Sequence, residues 1–150
     1  STKIMVKGRF RHTGSINNPV DITYSKNPLD FFSKIPKVLL GSEETDMLLT
    51  YFLVPDHLAA RTLLSMGLTE EEAEIRGKEV VKDFASQIAV LLQEYGKPMA
   101  GFTFRSLDEI FPQKLMSQGV PVFSGPERAV RAMKALVLYR SIRQKLRSQD

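Results

Sequence analysis

A chain of 150 residues is the length of one domain and can bury roughly 68–70% of the surface its unfolded form exposes. Its composition, 43% hydrophobic and 25% charged, is that of an ordinary globular protein, and the absence of cysteine excludes disulfides and thiolate metal sites. The net charge of +4 is split into +4 on residues 1–12, +5 on residues 126–150 and −5 on the body between them; a nucleic-acid reader carries its basic face on the folded body, so nucleic acid is not an expected partner.

Residues 1–18 have no sustained period and carry Gly8, Gly14, Ser15, Asn17 and Asn18 ahead of Pro19, which reads as a linker or extended arm before a domain over 19–150. The first ten residues have no apolar core of a secretory signal, and no apolar run reaches the ~18 residues of a membrane span. Together with the missing cysteines this suits a cytoplasmic setting without a membrane partner.

Val20 to Tyr24 predicts a short strand. Asn27-Pro28 is a helix start, a capping side chain followed by proline at the first helical position. Leu29, Phe32, Ile35 and Leu39 continue at helical spacing to Gly41, with Pro36 expected to kink or split the helix. Met47 to Val54 is nearly continuous apolar sequence, the pattern of a strand buried on both faces in a parallel sheet, stopped by Pro55. Leu58 to Met66 predicts a short helix. Thr69-Glu70-Glu71-Glu72 is a capping box opening a long helix to about Tyr95, with Val80, Phe84, Ile88, Leu91 and Leu92 on its buried face.

Met99 to Phe104 predicts the next strand. Ser106-Leu107-Asp108-Glu109 reads as a second capping box for a helix to about Gln118 that must start late or bend because Pro112 falls inside it. Val120 to Phe123 predicts a fourth strand. Ser124-Gly125-Pro126-Glu127 then starts a last helix to about Arg147, with Ala129, Val130, Met133, Leu136, Val137 and the stem of Arg140 expected inward. The order β-α-β-α-α-β-α-β-α implies parallel strands joined by right-handed crossovers. The expected fold is α/β, a flavodoxin-like three-layer sandwich with an open, mainly parallel sheet of about four to five strands.

Familiar phosphate cradles are missing: there is neither G-x-G-x-x-G nor G-x-x-x-x-G-K-[ST], and neither H-E-x-x-H nor G-x-S-x-G. With His12 and His57 the only histidines and no cysteine, no metal site is expected. Ligands of open α/β sheets bind at the C-terminal edge of the strands. Three segments are expected there: Tyr24-Ser25-Lys26-Asn27, Val54-Pro55-Asp56-His57 and Phe104-Arg105-Ser106. Each precedes a helix whose first amides can receive an anion, although caps and turns account for the same residue types. The turn Pro55, Asp56, His57 is the candidate phosphate-facing element. A histidine beside a carboxylate can act as a base or phosphate acceptor, which makes His57 the candidate for direct chemistry; a solvated loop histidine is the plainer reading.

The series Asn18-Pro19-Val20-Asp21-Ile22, Asp46-Met47-Leu48-Leu49, Gly96-Lys97-Pro98-Met99, Gly119-Val120-Pro121-Val122-Phe123 and Ser124-Gly125-Pro126-Glu127-Arg128-Ala129 resembles, in order and spacing over about residues 16–140, the third domain of NDP-forming acyl-CoA synthetases, relatives of succinyl-CoA synthetase. The resemblance implies the flavodoxin-like domain of an acid–CoA ligase that works through a phosphohistidine. It implies partners as well: CoA-binding and phosphohistidine domains upstream and an ATP-grasp domain or subunit. CoA, ATP or ADP and magnesium are implied for the whole enzyme, and none of them is expected to be bound by this segment itself. Succinyl-CoA synthetase relatives aim a helix start at the phosphohistidine, which would here follow the strand Met47–Val54. Where they carry glycines, this chain carries Pro55-Asp56-His57-Leu58. Proline lacks a donor and aspartate repels phosphate, so assembly, with at most one wall of the active site, is the expected role. His12-Thr13-Gly14 is similar to the family's phosphohistidine motif but lies in the linker, and that role is not transferred to it.

Two other classes compete. A receiver-like signalling domain would use Asp56 as phospho-acceptor, yet it needs an adjacent acidic pair for magnesium that Asp21 and Asp30 do not form. A stand-alone ligand-binding or interaction domain could use the basic end Arg140, Arg143, Lys145 and Arg147, which also suits a helix C-terminus as such.

Overall fold

The computed structural model describes Val20 and residues 30–148. The expected arm over 1–18, the strand expected to run from Val20 through residues 21–24, the Asn27-Pro28 helix start, the Tyr24–Asn27 loop and His12 lie, apart from Val20 itself, outside the described residues.

A π-helical turn, Asp30–Lys34, leads directly into α1, Ile35–Gly41. Pro36, which has no amide to donate, lies in the first turn of α1, directly after the π-helical turn. β1 covers Leu48–Tyr51, α2 Asp56–Ser65, α3 Glu70–Tyr95, β2 Met99–Thr103, α4 Ile110–Ser117, β3 Val122–Ser124 and α5 Pro126–Arg147. From the first helix onward the order is the expected one.

Among the described residues the sheet has three strands, ordered β1-β2-β3 and all parallel, with Leu48 opposite Met99 and Gly101 opposite Val122. Side chains alternate across the pleat. Leu48, Phe52, Met99 and Val122 therefore share one face, where they form the core with Leu40 of α1, Val81, Ala85 and Ile88 of α3, and Phe111 and Leu115 of α4. Leu49, Tyr51, Ala100, Phe102 and Phe123 point to the other face, against which α5 packs through its buried Ala129 and Met133.

Two expectations about burial change. β1 is not covered on both faces: Tyr51 is 45% exposed and, just past the strand, Leu53 is 58% exposed. Among the described residues β1 is an edge strand, and α5 covers that face only in part. Val130, Leu136, Val137 and Arg140 are likewise exposed rather than inward-facing: Val130 is turned about 100° away from its buried neighbour Ala129, and the other three lie where α5 outruns the sheet. Its 22 residues span about 33 Å, whereas the five residues of β2 span about 17 Å.

α3 begins with the expected capping box. Thr69 Oγ1 accepts from the Glu72 amide at 3.3 Å, and Glu72 Oε2 accepts from the Thr69 amide at 3.1 Å. It closes at Gly96, whose φ of +61° is the left-handed cap that side chains disfavour. Its buried residues are Ala73, Gly77, Val81, Ala85, Ile88, Ala89 and Leu91, while Val80, Phe84 and Leu92 are only half-buried. The small residues matter because α2 lies so close that a Cβ on Gly77 would come within 2.8 Å of the Ala60 amide nitrogen.

The Thr69 backbone amide, followed by its hydroxyl, holds the Glu72 carboxyl below its ordinary value. A depressed carboxyl contributes stability that is present above its unfolded value of about 4.3. That contribution disappears as pH falls through the folded value. Thr69→Ala is expected to cost about 1 kcal/mol, and Glu72→Gln to flatten the acid side of the stability–pH curve, as read from urea midpoints between pH 3 and 7. Unchanged acid-side curvature in the Gln variant would contradict this assignment.

Candidate functional site

The C-terminal edge of the sheet gathers the chemistry-bearing side chains. β1 runs out through Phe52, whose amide still donates to the Phe102 carbonyl at 2.8 Å, and the chain turns at Pro55, the cap residue of α2. Asp56, the first residue of α2, is half-buried and His57 is exposed. The Asp56 carboxylate reaches across to α4, where Oδ2 accepts from the Ile110 amide at 3.0 Å. Its other oxygen, Oδ1, is enclosed with no hydrogen-bond partner among the described residues.

That contact replaces the second capping box. Ser106 Oγ accepts from the Asp108 amide at 3.1 Å and so shapes the turn, while Glu109 turns away from the helix start. α4 begins only at Ile110 and has no cap from the Glu109 side chain. Its late start puts Pro112 in the first turn, where it breaks no helical bond.

Glu109 instead pairs with Arg105. Arg105 Nε donates to Oε2 at 2.7 Å and Nη2 lies 2.6 Å from Oε1, the two-pronged guanidinium–carboxylate geometry. The side chains are 33% and 19% exposed, so solvent partly screens the pair. The Glu109 carboxylate raises the Arg105 guanidinium above its ordinary value against partial desolvation, and the Asp56 carboxylate acts in the same direction.

Beside this ionic cluster lies an aromatic one. Tyr51 stacks on Phe102 with ring centroids 5.1 Å apart, and Phe104 closes the group at 5.7 Å from Tyr51 and 5.9 Å from Phe102. Phe104 is 73% exposed. Sequence reasoning placed Asp56, His57 and Arg105 at this edge but missed both groupings. The signals were available: Phe102 and Phe104 share a face at strand spacing, and Arg105 and Glu109 stand four residues apart.

The segments Val54–His57 and Phe104–Ser106 thus lie at one edge, and Asp56 ties the first of them to the start of α4. Pro55 offers no amide, Asp56 occupies a free amide of α4, and Arg105 is engaged by Glu109. Within this turn His57 alone among the ionisable side chains faces open solvent. Among the described residues no group of three or more His, Asp or Glu side chains is placed to hold a metal ion, and no helix is long and apolar enough to cross a membrane. No protein-family model, curated protein or solved structure matches the chain.

Proposed function

We propose that this chain is the flavodoxin-like assembly domain of an NDP-forming acyl-CoA synthetase, an enzyme that makes acyl-CoA from an acid, CoA and a nucleoside triphosphate in a cytoplasmic setting. The sequence resemblance supplies the family. The observation that carries the role is the Asp56–Ile110 hydrogen bond: the edge that would face phosphate is filled by the chain's own carboxylate. A helix start stabilises a phosphate dianion through free amides and its dipole; here Pro55 brings no amide to the start of α2, Asp56 puts a carboxylate there, and that carboxylate takes up the first amide of α4. Packing against companion domains, with the Pro55–His57 turn as at most one wall of the active site, suits this geometry better than phosphate binding. CoA, ATP or ADP and magnesium belong to the companions, a CoA-binding and a phosphohistidine domain and an ATP-grasp domain or subunit.

The sequence flanking this chain in its gene, or in an adjacent gene, is expected to encode a CoA-binding fold and an ATP-grasp domain. Removing residues 19–150 from that enzyme should abolish acyl-CoA synthesis, and the chain alone should produce none from acid, CoA and MgATP. Turnover by the isolated chain, or a gene neighbourhood lacking both companions, would overturn the proposal. A receiver-like role would instead show as magnesium-dependent uptake of acetyl phosphate at Asp56.

A further inference from the structure

The two overhangs of the domain lie at opposite ends and carry opposite charge. α5 starts at the C-terminal edge of the sheet and runs past the N-terminal edge, leaving every residue from Lys134 to Ser148 exposed. α3 ends three residues before β2 begins, and its 26 residues span about 39 Å. Its core residues, Val81 to Leu91, all lie in its later part, so its start projects beyond the C-terminal edge and packs on α2 there.

The overhang of α5 is built as a contact surface. At ~100° per residue, the face that buries Ala129 and Met133 continues through Leu136, 51% exposed, to Arg140 and Arg147, whereas Leu138, Tyr139, Ile142 and Leu146 form an apolar stripe on the far side, each 53–60% exposed. That stripe faces away from the side through which the earlier half meets the sheet. Residues 134–147 carry five basic side chains and no acidic one. Tyr139, Arg140, Arg143, Gln144 and Arg147 lie side by side on the exposed helix, with the Arg143 guanidinium over the Tyr139 ring at 5.8 Å. A row of arginine forks beside an apolar stripe fits carboxylates set beside apolar side chains.

The opposite end supplies that chemistry. Glu70 and Glu71 at the start of α3 are exposed and form no ion pair among the described residues, while Glu72 is held by Thr69 and Glu74 by Lys78. Beside them in the α2–α3 turn, Met66 is 71% exposed and Leu64 40%. Pairing α5 with α5 would juxtapose ten positive charges. We propose that this chain self-associates as a reciprocal antiparallel pair, in which the α5 overhang of each copy docks on the α2–α3 end of the other through Arg140, Arg143 and Arg147 with Glu70 and Glu71. A two-fold axis relates the copies when both contacts form at once between the same two molecules, which closes the pair instead of extending it head to tail.

The test is light scattering and sedimentation of the full chain and two charge-reversed variants, with circular dichroism confirming that each is folded. Wild type should have the mass of a dimer, with dissociation rising at least about tenfold between 50 and 500 mM salt as screening increases. R140E/R143E/R147E and E70K/E71K should each be monomeric, with affinity lowered more than about a hundredfold by like-charge contact. Mixed in equal amounts, they should form a heterodimer, since each then meets its complement. A monomeric wild type overturns the proposal, as does a dimer insensitive to E70K/E71K or a mixture that stays monomeric. Binding of monomeric chain to phosphatidylserine vesicles, unaffected by E70K/E71K, would assign the basic helix to a lipid surface and overturn it too.

Discussion

Gly101→Val is expected to destabilise the protein by about 3 kcal/mol, although valine favours a strand and glycine does not. The reason is the Phe52 ring, which lies where a Cβ on Gly101 would be. Phe52 is 2% exposed and meets Phe111 edge-on at 5.4 Å. Gly101 is held in place by its neighbours: its amide donates to the Pro121 carbonyl at 2.9 Å, and it stands between Thr50 and Val122 in the sheet. A valine there must displace the ring. Loss of its burial costs roughly 1.5–3 kcal/mol, and loss of the aromatic contact roughly 0.5–1.5 kcal/mol. Phe52→Ala should itself cost about 3–5 kcal/mol. In that background the added penalty of Gly101→Val should shrink by more than about 1 kcal/mol, because the two positions compete for one space. Urea unfolding of the four proteins measures this, and strictly additive costs would show that the ring is not the obstacle.

Asp56→Ala is expected to cost about 2 kcal/mol, at the upper end for loss of a capping carboxylate. It strips the Ile110 amide of its acceptor and removes a favourable charge from the first turn of α2. Asp56→Asn retains an acceptor oxygen and should recover most of that loss. Amide exchange gives a local readout: in the Ala variant the start of α4 should lose protection while the later half of α3 keeps it. If Asn were as damaging as Ala, the negative charge itself would be what the position requires.

Much of the local structure was legible from short-range chemistry. Thr69 and Glu72 stand three residues apart and satisfy each other without outside help. Gly96 ends α3 because its own backbone adopts φ +61°. Pro112 delays α4 because a proline amide cannot donate. The alternation of elements led to parallel strands joined by helices, whereas the order of the strands in the sheet, β1-β2-β3, came only from the structure.

The burial pattern was less legible. Of the residues expected inward on α3, Ile88 and Leu91 are buried, whereas Val80, Phe84 and Leu92 are half-buried and Ala73, Gly77, Val81, Ala85 and Ala89 are buried as well; at Gly77 the backbone of α2 approaches too closely for a larger side chain. Leu136 and Val137 on α5 are exposed as well, and their apolar character says nothing about whether the sheet extends beneath them. At the candidate site, sequence placed Pro55, Asp56 and His57 at the right edge but could not show what Asp56 holds.

Composition, capping chemistry and hydrophobic period determine an α/β domain with parallel strands and the ends of most of its helices, because those depend on residues within about four positions of one another. Only the packed chain decides that Asp56 caps a helix 54 residues away, that Phe52 reserves the space above Gly101, and that α3 and α5 project from opposite ends. Each of these depends on distances between elements, and a linear pattern of residue types carries no information about how closely two elements approach.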